Sequence, residues 1–294
     1  MVNFYEVRDF GQNINALFEF LKTQFKPLFM ALLRGAGIFL LISALAGSYY
    51  QNVVIQAGGK PYGLSDGYFL SNGVFLIAVV MFIVSSVVSS MAVYSITLHY
   101  IKAYIRNPKD IDIEAVVSDS RQSWGTMFGI TILFSLIVGI GIVFCIAPGI
   151  YLAVALSLAY PIAILEDGRS VGEAFSRSRK LIQNNWWSSF GYFFVVSIIF
   201  GMISSILSVP TAIFSIVTMI RDASDLMKML NAIAYGLQIA ASALLGAGII
   251  VGVAVLYGSL RESVESVNLA AQIDSIGRTS GISLDKKDDE DEDY

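Results

Sequence analysis

Long apolar stretches alternate with short polar segments along almost the whole chain. A run of about 18 or more apolar residues is long enough to cross a hydrocarbon core of roughly 30 Å as an α-helix. A helix also satisfies its own backbone hydrogen bonds inside lipid. The pattern therefore predicts an all-α, polytopic membrane helical bundle of about six transmembrane helices. The predicted spans are residues 27–47, 68–100, 127–146, 149–165, 187–220 and 232–260.

The third and fourth spans are separated only by Pro148 and Gly149. Residues 127–165 together are too long for a single crossing of the bilayer. The sequence therefore predicts a tight hairpin turn at Pro148–Gly149. The alternative is a proline kink within one longer helix.

Lysine and arginine are distributed unequally over the predicted loops, and cytoplasmic loops retain these residues in excess. If the loops alternate across the membrane, sixteen of the 19 basic residues fall on one side. The other side receives Lys60, Arg221 and Lys228. The distribution predicts that both termini lie in the cytoplasm.

Three segments on the predicted cytoplasmic side have apolar residues at helical spacing, which is typical of amphipathic helices. They precede the first, third and fifth spans, at residues 10–25, 113–124 and 171–182. In the last, Ser170 and Glu173 have the spacing of a capping box. The apolar spacing therefore predicts that each segment is a helix in the membrane interface, and that each is followed by two spans. The alternative is that any cytoplasmic loop beside a membrane becomes amphipathic.

Composition supports a membrane protein, because 55% of residues are hydrophobic and 14% are charged, with a mean hydropathy of +0.68. A soluble domain carries about 25% charged residues. The net charge of −4 includes the terminal sequence DKKDDEDEDY. We expect a single membrane domain at residues 1–276 and a disordered acidic tail at 277–294. The tail either binds a basic partner or only keeps the protein soluble.

Candidate chemistry is sparse. Cys145 and His99 are the only residues of their types, which excludes metal centres built from several cysteines or several histidines. No acidic residue lies in the middle of a predicted span, which disfavours proton or sodium coupling. We therefore predict no catalytic residue, no metal site and no cofactor, and we do not expect an enzyme.

Two features of the spans invite a functional interpretation. Arg34 lies about seven residues inside the first apolar stretch, where a charge is costly unless it reaches the interface or is paired. It either extends to the cytoplasmic face or pairs with Glu166 at the end of the fourth span. The second span carries a polar stripe, which either lines a substrate groove or allows close helix packing. The stripe comprises Ser86, Ser90, Tyr94 and Thr97.

The stretch from Pro148 to Trp187 carries the most recognisable motif. It includes Pro148, Gly149, Pro161, Leu165, Glu166, Glu173, Ala174, Ser178, Leu181, Asn185 and Trp187. This stretch resembles a bacterial multi-pass family that contains the membrane domain of some glycerophosphodiester phosphodiesterases and the YciC-like inner-membrane proteins. The resemblance implies the fold more than a function. The phosphodiesterase activity of that family resides in a separate soluble barrel of about 250 residues, which has no counterpart here.

These observations predict a noncatalytic protein of the bacterial cytoplasmic (inner) membrane that supports assembly or regulation of a membrane partner. The alternative is a transporter or lipid-handling protein. Expected partners are the lipid bilayer and either another membrane protein or a second copy, with no nucleic acid. The candidate functional or structural residues are Arg34, Pro148, Gly149, Pro161, Glu166, Glu173, Arg177 and Trp187.

Overall fold

The protein consists of helices joined by short connections. The computed structural model describes residues 2–56, 73–166, 169–220 and 224–265, and no strand occurs among them. In chain order the helices are α1 (Phe10–Gln56), α2 (Gly73–Arg106), α3 (Ile113–Gln122), α4 (Trp124–Phe144), α5 (Ile146–Leu156), α6 (Ala159–Leu165), α7 (Val171–Ile182), α8 (Trp186–Ile220) and α9 (Asp225–Glu265).

Six helical segments in the described part of the chain are long and apolar enough to cross a membrane. They are Phe10–Ile55, Gly73–Arg106, Trp124–Phe144, Ile146–Leu165, Trp186–Thr218 and Asp225–Glu265. The prediction of an all-α protein with six such segments is confirmed, and the chain has the character of a multi-pass membrane protein. Residues 68–72 of the predicted second span and the predicted acidic tail at 277–294 lie outside the described residues.

Helix α1 is continuous over 47 residues. At 1.5 Å per residue it is roughly 70 Å long, about twice the thickness of the hydrocarbon core. Its start is capped reciprocally, because Asp9 accepts from the Gln12 amide at 2.8 Å and Gln12 accepts from the Asp9 amide at 3.0 Å. The segment at 10–25, predicted as an amphipathic helix before a span from Pro27, is continuous with that span in α1. The buried side chains of Leu17, Phe20 and Leu28 form one face that continues through Pro27.

The turn between the third and fourth spans is at Cys145, and the prediction of a turn at Pro148–Gly149 was wrong. Cys145 is extended, with φ −167° and ψ 141°, between α4 and α5. Pro148 lies in the first turn of α5, where its missing N–H breaks no helical hydrogen bond. Gly149 is the point where α5 touches α4, because a Cβ there would lie 2.7 Å from the Ile142 nitrogen.

Two of the predicted amphipathic segments are separate short helices. Asp112 caps α3 by accepting from the Glu114 amide at 2.8 Å. The predicted capping box of α7 is present, since the Ser170 side chain accepts from the Glu173 amide and Glu173 accepts from the Ser170 amide. The buried Ser178 hydroxyl donates to the Ala155 carbonyl at 2.8 Å and fixes α7 against α5.

The densest packing lies towards one end of the bundle. In α9, every residue of Gly246–Leu260 except Ile249 is buried. The neighbouring helices bring Phe20 and Tyr104 into contact, with ring centroids 5.1 Å apart. The amino-terminal halves of α1 and α8 meet the carboxyl-terminal halves of α2 and α9 at this end.

At the other end, α8 and α9 share polar contacts. The fully buried Asn231 amide donates to Ser215 at 3.3 Å and to Thr218 at 3.4 Å. Such contacts between apolar helices each contribute about 0.6 kcal/mol on average. Because they are directional, they fix the register of α8 against α9.

Candidate functional site

Glu166 follows the last residue of α6 and turns its carboxylate into the protein. Only 5% of its side chain is exposed. The Arg177 Nε donates to this carboxylate at 2.6 Å, and the Arg169 Nε donates at 2.9 Å. A buried carboxylate is stable only when it is paired and hydrogen-bonded, and these arginines meet that requirement.

The end of α9 completes the site. Tyr257 donates to the Glu166 carboxylate at 2.7 Å, and the Arg261 Nε lies 3.9 Å from it. Arg177 also donates to Glu265 at 2.7 Å, and Arg261 donates to Glu265 at 3.3 Å. We call these six residues the Glu166 cluster: Glu166, Arg169, Arg177, Tyr257, Arg261 and Glu265. They join α6, α7 and α9.

The segment before α1 covers the Glu166 cluster from the amino-terminal side. The Arg261 guanidinium lies 5.3 Å from the centre of the Tyr5 ring and donates to the Tyr5 hydroxyl at 3.4 Å. The Arg8 amide donates to the Ser259 hydroxyl at 3.0 Å. Gly258 allows this approach, because a Cβ there would overlap the Phe4 carbonyl oxygen.

The electrostatics favour the charged form of Arg177. Burial lowers the pKa of Arg177, but hydrogen bonds to Glu265 and Glu166 outweigh burial, and the net pKa is raised above its ordinary value. Burial also raises the pKa of Tyr5, and the nearby Arg261 guanidinium only partly opposes that effect. The Arg177 guanidinium therefore stays charged at neutral pH, and the Tyr5 hydroxyl keeps its proton.

The Glu166 cluster is suited to holding helices together. The Glu166 carboxylate accepts from two guanidinium groups and one phenol, so its oxygens are occupied by protein donors. A general base or nucleophile needs a lone pair that can reach its substrate. The described part of the chain also contains no group of three or more His, Cys, Asp and Glu residues that could hold a metal ion.

The structure brings together only some of the residues that were selected from the sequence. Glu166 and Arg177 are in direct contact, and Glu173 caps the helix that carries Arg177. Pro161 is buried within α6. Trp187 is 78% exposed, while the neighbouring Trp186 stacks on Tyr151 with ring centroids 5.4 Å apart.

Of the two alternatives for Arg34, the structure contradicts the pair with Glu166. The Glu166 carboxylate is occupied by other arginines, and Arg34 is an exposed residue of α1 that lies beside α3. The polar stripe of α2 is partly internal, since Thr97 is fully buried and donates to the Val93 carbonyl at 2.7 Å. Ser89, which flanks the stripe, is also fully buried.

Sequence reasoning missed Tyr5, Tyr257, Arg261 and Glu265. Three of them recur every four residues at the end of the last span, and residues four apart share one face of a helix. That spacing could have identified a polar face where an apolar helix leaves the membrane. No comparable signal connects Tyr5 to this face.

No curated protein and no solved structure matches this chain. One family, described as a domain of unknown function (DUF7847), matches residues 113–260. The matched region is just over half of the chain and runs from α3 to near the end of α9, so it includes Glu166, Arg177 and Tyr257. The chain therefore belongs to the DUF7847 family of domains of unknown function.

Proposed function

We propose that this chain is a noncatalytic, multi-pass protein of the bacterial cytoplasmic membrane that supports the assembly or regulation of a membrane partner. The observation that carries the proposal is the Glu166 cluster. Its buried carboxylate is fully engaged by Arg169, Arg177 and Tyr257, which suits a structural tie between helices. The resemblance of residues 148–187 to bacterial inner-membrane proteins supports the same location, and this stretch lies inside the matched family region.

Both termini are proposed to be cytoplasmic. The excess of basic residues at one end of the bundle supports this orientation. The Glu166 cluster, α3 and α7 then lie on the cytoplasmic side, with the amphipathic α3 and α7 at the membrane interface. Trp186 and Trp187, at the start of α8, are residues of the type that anchors a helix at that depth.

The apolar face of α8 is the proposed contact for the partner. Phe194, Ile198, Met202 and Ile206 are all at least 45% exposed along one side of this helix. In a bilayer this face contacts either lipid or another membrane helix. A protein that always lies against this face would show that the contact is another membrane helix and not lipid.

Site-specific photocrosslinking in the native membrane tests the proposal. A photoreactive benzoylphenylalanine replaces Ile206, which is 70% exposed, and a matched control replaces Val196, which is 2% exposed. We expect one protein adduct of constant mass at position 206 and none at position 196. Only lipid adducts at position 206, together with purification of the chain without a protein at fixed ratio, would contradict the assembly role.

Lipid handling is the second candidate, and one groove favours it. The groove lies between α1, α8 and α9, has a volume of about 310 Å³, and is lined by apolar side chains that include Leu28, Phe29, Phe200, Leu207 and Leu244. Its chemistry matches an acyl chain. Recovery of one lipid species with the purified chain, in place of a protein, would make this the leading function.

A further inference from the structure

Two arginines without protein partners line one cavity between α1 and α3. The cavity has a volume of about 230 Å³ and is formed by Arg34, Ile113, Glu114, Val117, Ser118 and Arg121. Among the described residues, neither Arg34 nor Arg121 has a hydrogen bond or ion pair from its guanidinium group. Both side chains are exposed. Two unpaired guanidinium groups and one hydroxyl are donors that bind phosphate oxygens.

The walls of this cavity are held in place by the fold. Gly35, next to Arg34, allows α3 to pack closely, because a Cβ there would lie 3.0 Å from the Val117 side chain. Immediately after α3, the Ser123 hydroxyl is 3.0 Å from the His99 Nε2 in α2. The backbones that carry the two arginines are therefore fixed relative to each other.

The cavity lies at the depth of lipid headgroups in the proposed orientation. Phe39 in α1 packs against Trp124, with ring centroids 4.9 Å apart. Trp124 is the first residue of the apolar, 21-residue helix α4, and tryptophan is enriched where a span enters the interface. Arg34 lies five residues before Phe39, which is about 7.5 Å along a helix axis.

An apolar groove lies further along α1, starting at Phe39. It runs between α1 and α2, has a volume of about 620 Å³, and is lined by residues that include Phe39, Ile42, Leu45, Tyr49, Met81 and Val84. Ile42, Leu45 and Tyr49 lie within a quarter turn of Arg34 around the helix, since successive residues advance by about 100°. A cationic cavity followed by an apolar groove on the same side of α1 matches an amphiphile with an anionic head.

We propose that Arg34 and Arg121 bind the phosphate of an anionic phospholipid, with one acyl chain in the groove between α1 and α2. Charge complementarity supports this occupant, because the two arginines outweigh the single carboxylate of Glu114 in the lining. The site is independent of the proposed partner contact on α8. Free phosphate has the same headgroup chemistry but does not occupy an apolar groove.

Quenching of Trp124 by brominated lipids tests the site. Trp186→Phe and Trp187→Phe leave Trp124 as the only tryptophan of the full chain. We expect brominated phosphatidylglycerol to quench it more strongly than brominated phosphatidylcholine in mixed vesicles. Arg34→Gln with Arg121→Gln should reduce this preference about tenfold, because the double variant removes both charged donors that contact the phosphate. An unchanged preference in the double variant would overturn the proposal.

Matched variants separate a bound lipid from general attraction to the membrane. Lys22→Gln with Lys26→Gln removes the same charge from exposed positions of α1 and should leave the preference for phosphatidylglycerol unchanged. Glu114→Gln removes the carboxylate from the lining and should increase the preference, which keeps the site testable if the arginine variants do not fold.

Relief of quenching by added inorganic phosphate would assign the arginines to a soluble anion and overturn the lipid assignment. Equal losses in the lysine and arginine variants would also overturn it.

Discussion

Replacing Glu166 with alanine is expected to lower the free energy of unfolding by about 3 kcal/mol, the low end of the range for breaking a buried ion pair. The substitution leaves Arg177, Arg169 and Tyr257 without the carboxylate that they all contact. Arg177 is only 20% exposed, so water compensates its charge incompletely. Denaturant titration of the purified protein, followed by tryptophan fluorescence, measures the change.

Asp119→Ala is the matched control for this prediction. Asp119 is an exposed acid on α3, and its removal changes the net charge by the same amount. We expect an effect below about 0.5 kcal/mol, as for most surface substitutions. A double-mutant cycle between Glu166 and Arg177 should show a coupling of at least about 1 kcal/mol, while a cycle between Glu166 and Arg34 should show none. Equal losses of unfolding free energy for Glu166→Ala and Asp119→Ala would contradict the structural role of the Glu166 cluster.

Gly236→Ala should destabilise the protein by about 2 kcal/mol, because it introduces atoms into a tightly packed contact. A Cβ at Gly236 in α9 would overlap the carbonyl oxygen of Ala44 and the hydroxyl of Ser48 in α1. The Ala44 oxygen belongs to the backbone, so a rotamer change cannot relieve that overlap. The two long helices would have to separate. Denaturant titration measures the loss.

Gly201→Ala provides a control of opposite sign. Gly201 lies within α8, and a Cβ there would meet nothing within 4 Å. Alanine is a better helix former than glycine by about 1 kcal/mol, so this variant should be neutral or more stable than the parent. A loss in Gly201→Ala that matches the loss in Gly236→Ala would show that helix contact at Ala44 does not explain the sensitivity of Gly236.

The six apolar segments were predictable because their length and composition are a property of the local sequence. Helix ends were less predictable where tertiary packing decides them. Pro27 was interpreted as the start of a span, yet α1 continues through it because one buried face extends on both sides. Pro148 and Gly149 were interpreted as a turn, yet both lie within α5. The close contact of Gly149 with Ile142 depends on how α5 packs against α4, and the local sequence does not reveal that packing.

The candidate site was only half visible in the sequence. Glu166 and Arg177 were selected from a local motif, and the capping box at Ser170 was legible from its spacing. The partners of Glu166 on α9 lie about 90 residues away, and Tyr5 comes from the other end of the chain. Pairing Glu166 with Arg34 failed because depth in the membrane does not determine which helices are neighbours.

Six spans with the Glu166 cluster in the cytoplasm require that residues 60 and 180 lie on opposite sides of the membrane. Single cysteines introduced as Lys60→Cys and Lys180→Cys, each in a Cys145→Ala background, test this directly with a membrane-impermeant maleimide. Lys180 is exposed on α7, close to Arg177, and does not belong to the cluster. In cells whose cytoplasmic membrane is intact and directly accessible to the reagent, we expect the maleimide to label position 60. We expect it to label position 180 only after the membrane is permeabilised. Labelling of both positions from the same side would contradict the six-span topology and the cytoplasmic location of the cluster.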